Sequence, residues 1–265
     1  MARPVVALLS DFGLRDHYAG VMKGVILGLA SEAMLVDISH DVPAHDVTAA
    51  AFELAAAYKY FPPATIFLVV VDPGVGTSRR GLVAEAGDWR FVAPDNGVLT
   101  AVFQETPPKK VVELTERRYG RPTVSRTFEG RDRFAPAAGW LAKGGIQHAA
   151  FGRAIADYHL LDLPKPVLDG DVLRGVVVRI DRFGNVVTNL DRRACERVTN
   201  GSAAVRLTVA GQNIARIVAT YSDVGPQEVC GLFGSTDHLE VAARASSAAE
   251  RLAVASGAAV ELRRD

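Results

Sequence analysis

The stretch "FLVVVDPGVGTSRRG", residues 67–81, sets Asp72 directly after an apolar run and Arg79 beyond two glycines. A carboxylate there can hold a water or take its proton, because ligands of open α/β sheets bind beyond the C-terminal ends of the strands. A phosphate cradle would need a lysine and a Ser/Thr after its last glycine, and "GVGTSRRG" has no lysine. A dinucleotide fingerprint, G-x-G-x-x-G, would need its third glycine where Arg79 stands. Asp72 equally fits a turn acid with no chemistry.

Other acids sit at similar junctions. "LLSDFGLRD" puts Asp11 and Asp16 after a first apolar run and before a helical one, where carboxylates can accept from a ribose diol. Asp16 also suits the acidic first turn of a helix. The "DFG" there lacks the upstream Gly-rich and catalytic loops of a kinase. "TFEGRDRFAP", residues 127–136, gathers Phe128, Glu129, Arg131 and Asp132 around Gly130, as a site or as charged surface. "VVVRIDRFGNVVTNL", residues 176–190, sets Asp181, Phe183 and Asn185 in a turn between apolar runs. These residues can read a purine or an amino-acid head group, or simply make the turn. Asp95–Asn96–Gly97 reads as a hairpin turn. His40, His45 and His238 have no metal-ligand spacing.

The elements that must position these residues follow from hydrophobic pattern. Residues 4–10, 34–39 and 65–72 read as buried strands, and 18–31, 47–61 and 135–144 as helices. Continuous apolar strands alternating with helices predict a mostly parallel sheet with helices on both faces. "LVAEA" and "RFVAPDNGVL" read as a hairpin. The Pro-rich "LLDLPKPVLDGDVLRG" marks a boundary, giving an α/β domain over 1–163 and a domain over 164–265. Beyond the boundary, "GVVVRID", "NVVTNL", "AAVRLTV", "QNIARIVA", "HLEVAA" and "AAVELRR" are short strands spaced by turns, the pattern of a small β-barrel.

Composition narrows the function class. Thirty basic and thirty acidic residues give zero formal net charge over 265 residues, without the basic footprint of a nucleic-acid binder. Two distant cysteines, Cys195 and Cys230, make neither a disulfide scaffold nor a zinc pattern. No apolar run reaches membrane-spanning length, and "MARPVVALLSDFG" is too short for a signal-peptide core. The expectation is a soluble cytoplasmic protein.

In order along the chain, "SDFGLRDHYAG", "VDPGVGTSRRG", "APDNGVLT", "FEGRDRFAPAA", "IDRFGNVVTN" and "GSTDHLEVA" resemble the S-adenosylmethionine hydroxide adenosyltransferase family, which is related to the fluorinases and chlorinases. The resemblance implies an α/β N-terminal domain and a C-terminal β-barrel assembled as a homotrimer, with the small-molecule substrate at a subunit interface. It implies that water attacks C5′ of S-adenosylmethionine, releasing adenosine and L-methionine, with no metal and no cofactor. Asp72 then takes the water's hydrogen bond, and Arg79 orients the pair. Asp16, with Asp11 beside it, matches the ribose-diol carboxylate. Asp181 and Asn185 match residues that hold the methionine ammonium and the adenine edge. Ser235 matches a contact to the methionine carboxylate. Ala243 and Ala245 lie where backbone meets adenine, and Phe128 and Phe183 pack nearby.

One residue departs from the family pattern. The motif is usually F-H-G-R-D, and here Glu129 stands where that histidine would. Glu129 then shares Arg79 with Asp72 so that one carboxylate rises in pKa and serves as base, or only buttresses Arg79, or weakens hydrolysis. The alternatives are a non-catalytic binder of S-adenosylmethionine or adenosine, and a halogenase. Fluorinases carry tyrosine where this chain has Asp72 and serine where it has Gly130.

Overall fold

The computed structural model describes residues 3–199 and 205–264. The chain divides into two compact units, Met1–Leu163 and Pro164–Asp265.

The first unit runs β1 (Val5–Ser10), α1 (Tyr18–Leu29), β2 (Met34–Ser39), α2 (Val47–Ala57), β3 (Ile66–Val70), β4 (Gly81–Ala86), β5 (Trp89–Pro94), α3 (Thr100–Glu105), β6 (Pro108–Glu113) and α4 (Ala135–Lys143). The six strands form one mixed sheet in the order β2-β1-β3-β5-β4-β6. Strands β2, β1, β3 and β5 are parallel, and β4 runs antiparallel to both β5 and β6. Alternate residues of one strand serve opposite faces. Val6, Leu8, Leu68 and Val70 pack with Met22 and Ile26 of α1 and Leu141 of α4. Ala7, Leu9, Phe67 and Val69 pack with Leu54 of α2 and Val102 of α3. Both faces are covered, which is why these strands read as unbroken apolar runs. Each fully buried Leu or Phe contributes about 1.5–3 kcal/mol relative to exposure, so β1 and β3 are firm bases for the loops at their C-terminal ends.

The β4–β5 hairpin turns at Gly87, whose φ is +56°. The Asn96–Gly97 pair does not make a hairpin, contrary to its sequence signal. Asn96 instead spans β3 and the turn after β5: its Nδ2 donates to the Val71 carbonyl at 2.9 Å, and its Oδ1 accepts from the Val98 N–H at 3.2 Å. Gly97 takes φ +88° and leads into α3.

The second unit runs β7 (Val167–Asp169), β8 (Val172–Ile180), β9 (Val186–Asp191), α5 (Arg192–Thr199), β10 (Val205–Val209), β11 (Gln212–Ile214), β12 (Val229–Phe233), β13 (His238–Ala243), α6 (Ala248–Leu252) and β14 (Ala259–Arg264). Its eight strands pair in the order β11-β10-β14-β8-β9-β13-β12, with β7 on β8, and every pairing is antiparallel. An isolated parallel bridge from Ile217 to Gly231 of β12 brings the two ends of the sheet together into a nearly closed barrel. Leu173, Val177, Leu190, Leu207, Val241 and Val260 fill it. The strand expected over "AAVRLTV" begins at Ala203, and residues 203 and 204 lie outside the described residues. Helix α5 was hidden in the sequence by its charge. It is amphipathic, starts where Asp191 Oδ1 accepts from the Ala194 N–H at 2.8 Å, and buries Ala194, Cys195 and Val198.

Candidate functional site

Asp72 lies two residues past the end of β3, and the turn after it brings Arg79 back. Arg79 Nε donates to Asp72 Oδ1 at 3.0 Å, and its Nη2 donates to Asp72 Oδ2 at 2.5 Å, a bidentate pair. The same Nη2 donates to Glu129 Oε2 at 2.8 Å, and Arg133 Nη1 donates to that oxygen at 3.0 Å. The four side chains form a row of alternating charge: Asp72, Arg79, Glu129, Arg133. The first three are buried, with side-chain exposures of 5%, 8% and 11%. Arg79 also donates to the Arg80 carbonyl and lies 5.2 Å over the Phe134 ring.

The local chain makes this row possible. A Cβ on Gly74 would sit 3.5–3.7 Å from Arg79 and the Asp72 carboxylate, ordinary contact, so this turn lies directly against the pair. Gly76 takes φ +79°, and a Cβ there would come within 2.3 Å of the Arg126 carbonyl oxygen. Residues Gly130–Phe134 form a single π-helical turn leading into α4, and such turns recur at functional sites. Glu129 immediately precedes this turn and Arg133, four residues after Glu129, lies within it, which sets their ion pair.

Burial pushes the Asp72 carboxyl above its ordinary value. The Arg79 charge and hydrogen bonds oppose that rise, and the Glu129 charge adds to it. Each Asp72 oxygen keeps lone-pair capacity beyond its bond to Arg79. A buried carboxylate with raised basicity, fixed by a bidentate arginine, is equipped to hold and deprotonate a water.

A second group of predicted residues lies beyond β1. Asp11 Oδ2 accepts from the His45 N–H at 2.9 Å, so one of its oxygens is engaged in the fold. Asp16 is exposed and makes no hydrogen bond or ion pair of its own among the described residues. The loop between them rests on a relay that runs from the surface at Lys23 and Asp37 to buried His40 and Ser10. Lys23 donates to Asp37, Asp37 meets His40 Nε2 at 3.1 Å, and His40 Nδ1 meets Ser10 Oγ at 2.7 Å. The His40 carbonyl accepts from the Gly13 N–H at 2.7 Å. A Ser–His–Asp set suggests nucleophilic catalysis, but Ser10 is 0% exposed and cannot reach a substrate. Its role is to hold the 11–16 loop. Phe128 is buried in an aromatic cluster, edge-on to Phe12 and Tyr18 at 5.8 and 5.1 Å, with Arg131 over its ring. Asp132 is fully buried and satisfied by Arg131 and the Ser125 N–H.

In the second unit, Asp181 organises the turn between β8 and β9. Its Oδ1 accepts from the Phe183 and Asn185 N–H groups at 2.9 and 2.8 Å, and its Oδ2 from Asn185 Nδ2 at 2.8 Å. Asn185 is buried, whereas the Phe183 ring is 78% exposed. Gly184 packs against Ser247, the N-cap of α6, and its carbonyl accepts from the Ala249 N–H. This brings the Asp181 turn beside the turn after β13 that carries Ala245. Ala243 is buried at the end of β13, and Ala245 takes φ +54°, a costly conformation for a residue with a Cβ. Ser235 is exposed in the turn between β12 and β13.

The structure thus joins Asp72, Arg79 and Glu129 in one row, and groups Asp181, Asn185 and Ala245. Two residues escaped the sequence reading. Arg133 completes the row, and an arginine four residues after Glu129 was a legible helical-pair signal. Glu240 on β13 is 6% exposed, and its carboxyl is pushed up by burial and by the Asp181 charge. A Cβ on Gly234 would meet its oxygen at 1.9 Å. An acid inside the apolar run "HLEVAA" was the available clue. Among the described residues, no cluster of three or more His, Cys, Asp or Glu is arranged to hold a metal ion, and no helix is long and apolar enough to cross a membrane.

Residues 6–152 match the model of the SAM hydroxide adenosyltransferase N-terminal domain, and residues 175–261 that of its C-terminal domain. An (R)-S-adenosyl-L-methionine hydrolase of Thermus thermophilus is 37% identical, over 98% of this chain and 99% of its own. A fluorinase of Nocardia brasiliensis is 27% identical, over 98% and 97%. The crystal structure of an uncharacterized conserved protein from Thermotoga maritima superposes with a TM-score of 0.93 at 36% identity, covering 98% of this chain and 100% of that one. With both family models matched in order and the fold reproduced along nearly the whole chain, the protein belongs to the SAM hydroxide adenosyltransferase family.

Proposed function

We propose that the chain hydrolyses S-adenosyl-L-methionine to adenosine and L-methionine, with Asp72 as the base. The observation that carries this reading is the buried Asp72–Arg79–Glu129 row at the C-terminal end of β3. The sulfonium is already a good leaving group, so the task left to the protein is to place one water in line with the C5′–S bond and receive its proton. The water oxygen forms the bond to C5′, and the C5′–S bond breaks with its electron pair passing to sulfur. The cationic sulfonium becomes the neutral thioether of methionine, and the proton goes to Asp72 and then to solvent. Arg79 fixes the carboxylate that does this, and Glu129 supports Arg79 while raising the basicity of Asp72 through its charge.

Asp16, exposed and unbonded, is positioned for the ribose diol, with Asp11 beside it. Asp181, Asn185, Ser235 and the backbone at Ala243 and Ala245 serve the methionine and adenine ends. Relatives named for the (R) sulfonium epimer favour that epimer as substrate. We place the protein in the cytoplasm as a homotrimer with its substrate at a subunit interface, on the strength of the family resemblance.

Halogenation is disfavoured by charge. A halide would have to approach two buried carboxylates, and the hydrolase relative at 37% identity is nearer than the fluorinase at 27%. The test is incubation with each sulfonium epimer and chromatography for adenosine. Adenosine and methionine should form in equal amounts, and Asp72→Asn should slow the reaction about 10²–10⁴-fold, the usual contribution of a positioned base. Wild-type rates in Asp72→Asn would refute the assignment of the base. Tight adenosine binding with no turnover would favour a binding protein instead.

A further inference from the structure

The segment after β6 walls a cavity of about 610 Å³ that meets the row at Asp72 only through Glu129 and Arg133. Four arginines line it, Arg117, Arg118, Arg121 and Arg133, against two acids, Glu116 and Glu129. The arginines are unequally engaged. Arg133 is committed to Glu129 and to the Leu114 carbonyl. Arg121 leans on buried Asp132 at 3.3 Å. Arg118 has a long 3.8 Å ion pair to Glu116 and lies 4.9 Å over the Tyr119 ring, neither of which uses its N–H donors at hydrogen-bond distance, and the Arg117 guanidinium is paired with nothing among the described residues. The cavity therefore presents uncompensated positive charge and unused N–H donors in a recess. The neutral chain as a whole gives no reason for such a patch.

We propose that this cavity binds a small polyanion of the phosphate class. Guanidinium forks pair bidentately with phosphate oxygens, and donors approaching from several side chains suit a tetrahedral oxyanion with several acceptors better than a single planar carboxylate. The site is coupled to the row at Asp72 through one atom. Arg133 and Arg79 both donate to Glu129 Oε2. An anion that draws Arg133 into the cavity leaves Glu129 to Arg79 alone, and Arg79 then divides its charge more evenly between Glu129 and Asp72. Occupancy of the cavity thereby modulates the hydrolysis proposed above. That coupling rests on the hydrolase reading, and the binding itself does not.

The experiment is calorimetric titration of the full chain with inorganic pyrophosphate, without substrate, at constant ionic strength set by sodium chloride. One pyrophosphate per chain is expected. The double variant Arg117→Ala/Arg118→Ala should bind about 100-fold more weakly, at roughly tenfold per lost charge-assisted contact. Circular dichroism confirms that the variant is folded, and Arg117→Lys/Arg118→Lys should recover part of the affinity. Equal affinity in wild type and the Ala variant, or no heat of binding at millimolar pyrophosphate, overturns the site. With the site filled, the wild-type rate of adenosine release should change, and that of the Ala variant should not. A wild-type rate that ignores a filled site overturns the coupling. If no adenosine forms under any condition, the hydrolase reading fails while the titration still decides the binding.

Discussion

Replacing Arg79 with Met tests whether the charged row is as tightly balanced as its geometry indicates. Met keeps much of the length and removes the charge. Asp72 Oδ2 and Glu129 Oε2 share the Arg79 Nη2 donor at 2.5 and 2.8 Å. The two oxygens therefore lie within about 5 Å of each other, where like charges repel by roughly 3 kcal/mol at an effective dielectric of about 20. Removing one member of a buried ion pair costs about 3–5 kcal/mol in general. Arg133 still holds Glu129, so the lower end applies, about 3 kcal/mol. For a domain of this size that lowers Tm by roughly 6–12 °C. The sign with pH follows from the same charges. Burial and the Glu129 charge already hold the Asp72 carboxyl above its ordinary value, and losing Arg79 removes what opposes that rise, so the penalty is present above the folded pKa of Asp72 and fades as the pH falls through it. Thermal melts of Arg79→Met should therefore approach wild type on acidification, and Arg79→Met/Asp72→Asn should regain most of the loss at neutral pH. A deficit under about 1 kcal/mol, a deficit that widens in acid, or no rescue by Asp72→Asn would refute the electrostatic account.

Three further outcomes follow from the same geometry. Glu129→Gln keeps an oxygen for Arg79 but removes the charge that helps hold the Asp72 carboxyl up, so the acid limb of the pH–rate profile for adenosine release should move to lower pH. Movement to higher pH would contradict the assignment. Glu129→His alone should lose stability, because Arg133 is left without its carboxylate. Glu129→His/Arg133→Met should recover it, as read by Tm. Asp181→Ala removes an acceptor of three hydrogen bonds, and melts should show a loss of about 2–3 kcal/mol at roughly 1 kcal/mol each. Its KM for S-adenosylmethionine should rise more than its kcat falls, whereas a fall in kcat at unchanged KM would place Asp181 in the chemistry.

Apolar pattern made the first unit legible, because strands buried on both faces leave no alternation to confuse them. Tyr18–Leu29, Val47–Ala57 and Ala135–Lys143 end within a few residues of their sequence limits. The misses have local physical causes. Asn96–Gly97 carries a hairpin's residues, but the Asn96 side chain is spent on the Val71 carbonyl across the sheet. Helix α5 buries one narrow stripe, so its charged remainder masked it. Strand β12, "VCGLF", lacks alternation and carries a central glycine, so its pattern gives no strand signal.

At the site, the sequence supplied Asp72, Arg79 and Glu129 one by one but not the rule that joins them. A carboxylate where a histidine is usual adds a negative charge to a nearly dry pocket, and such a charge persists only if it is paired. Arg79 alone cannot supply this, since Asp72 already takes two of its donors. The π-helical turn resolves the difficulty by bringing Arg133 onto the same Glu129 oxygen, so that the row is neutral in sum and alternates in sign. Because Arg133 also opens onto the arginine-lined cavity, the residue that makes Glu129 tolerable exposes the row to any anion bound there. The departure at position 129 is therefore tied to position 133. Substitutions at the two should be read as a pair.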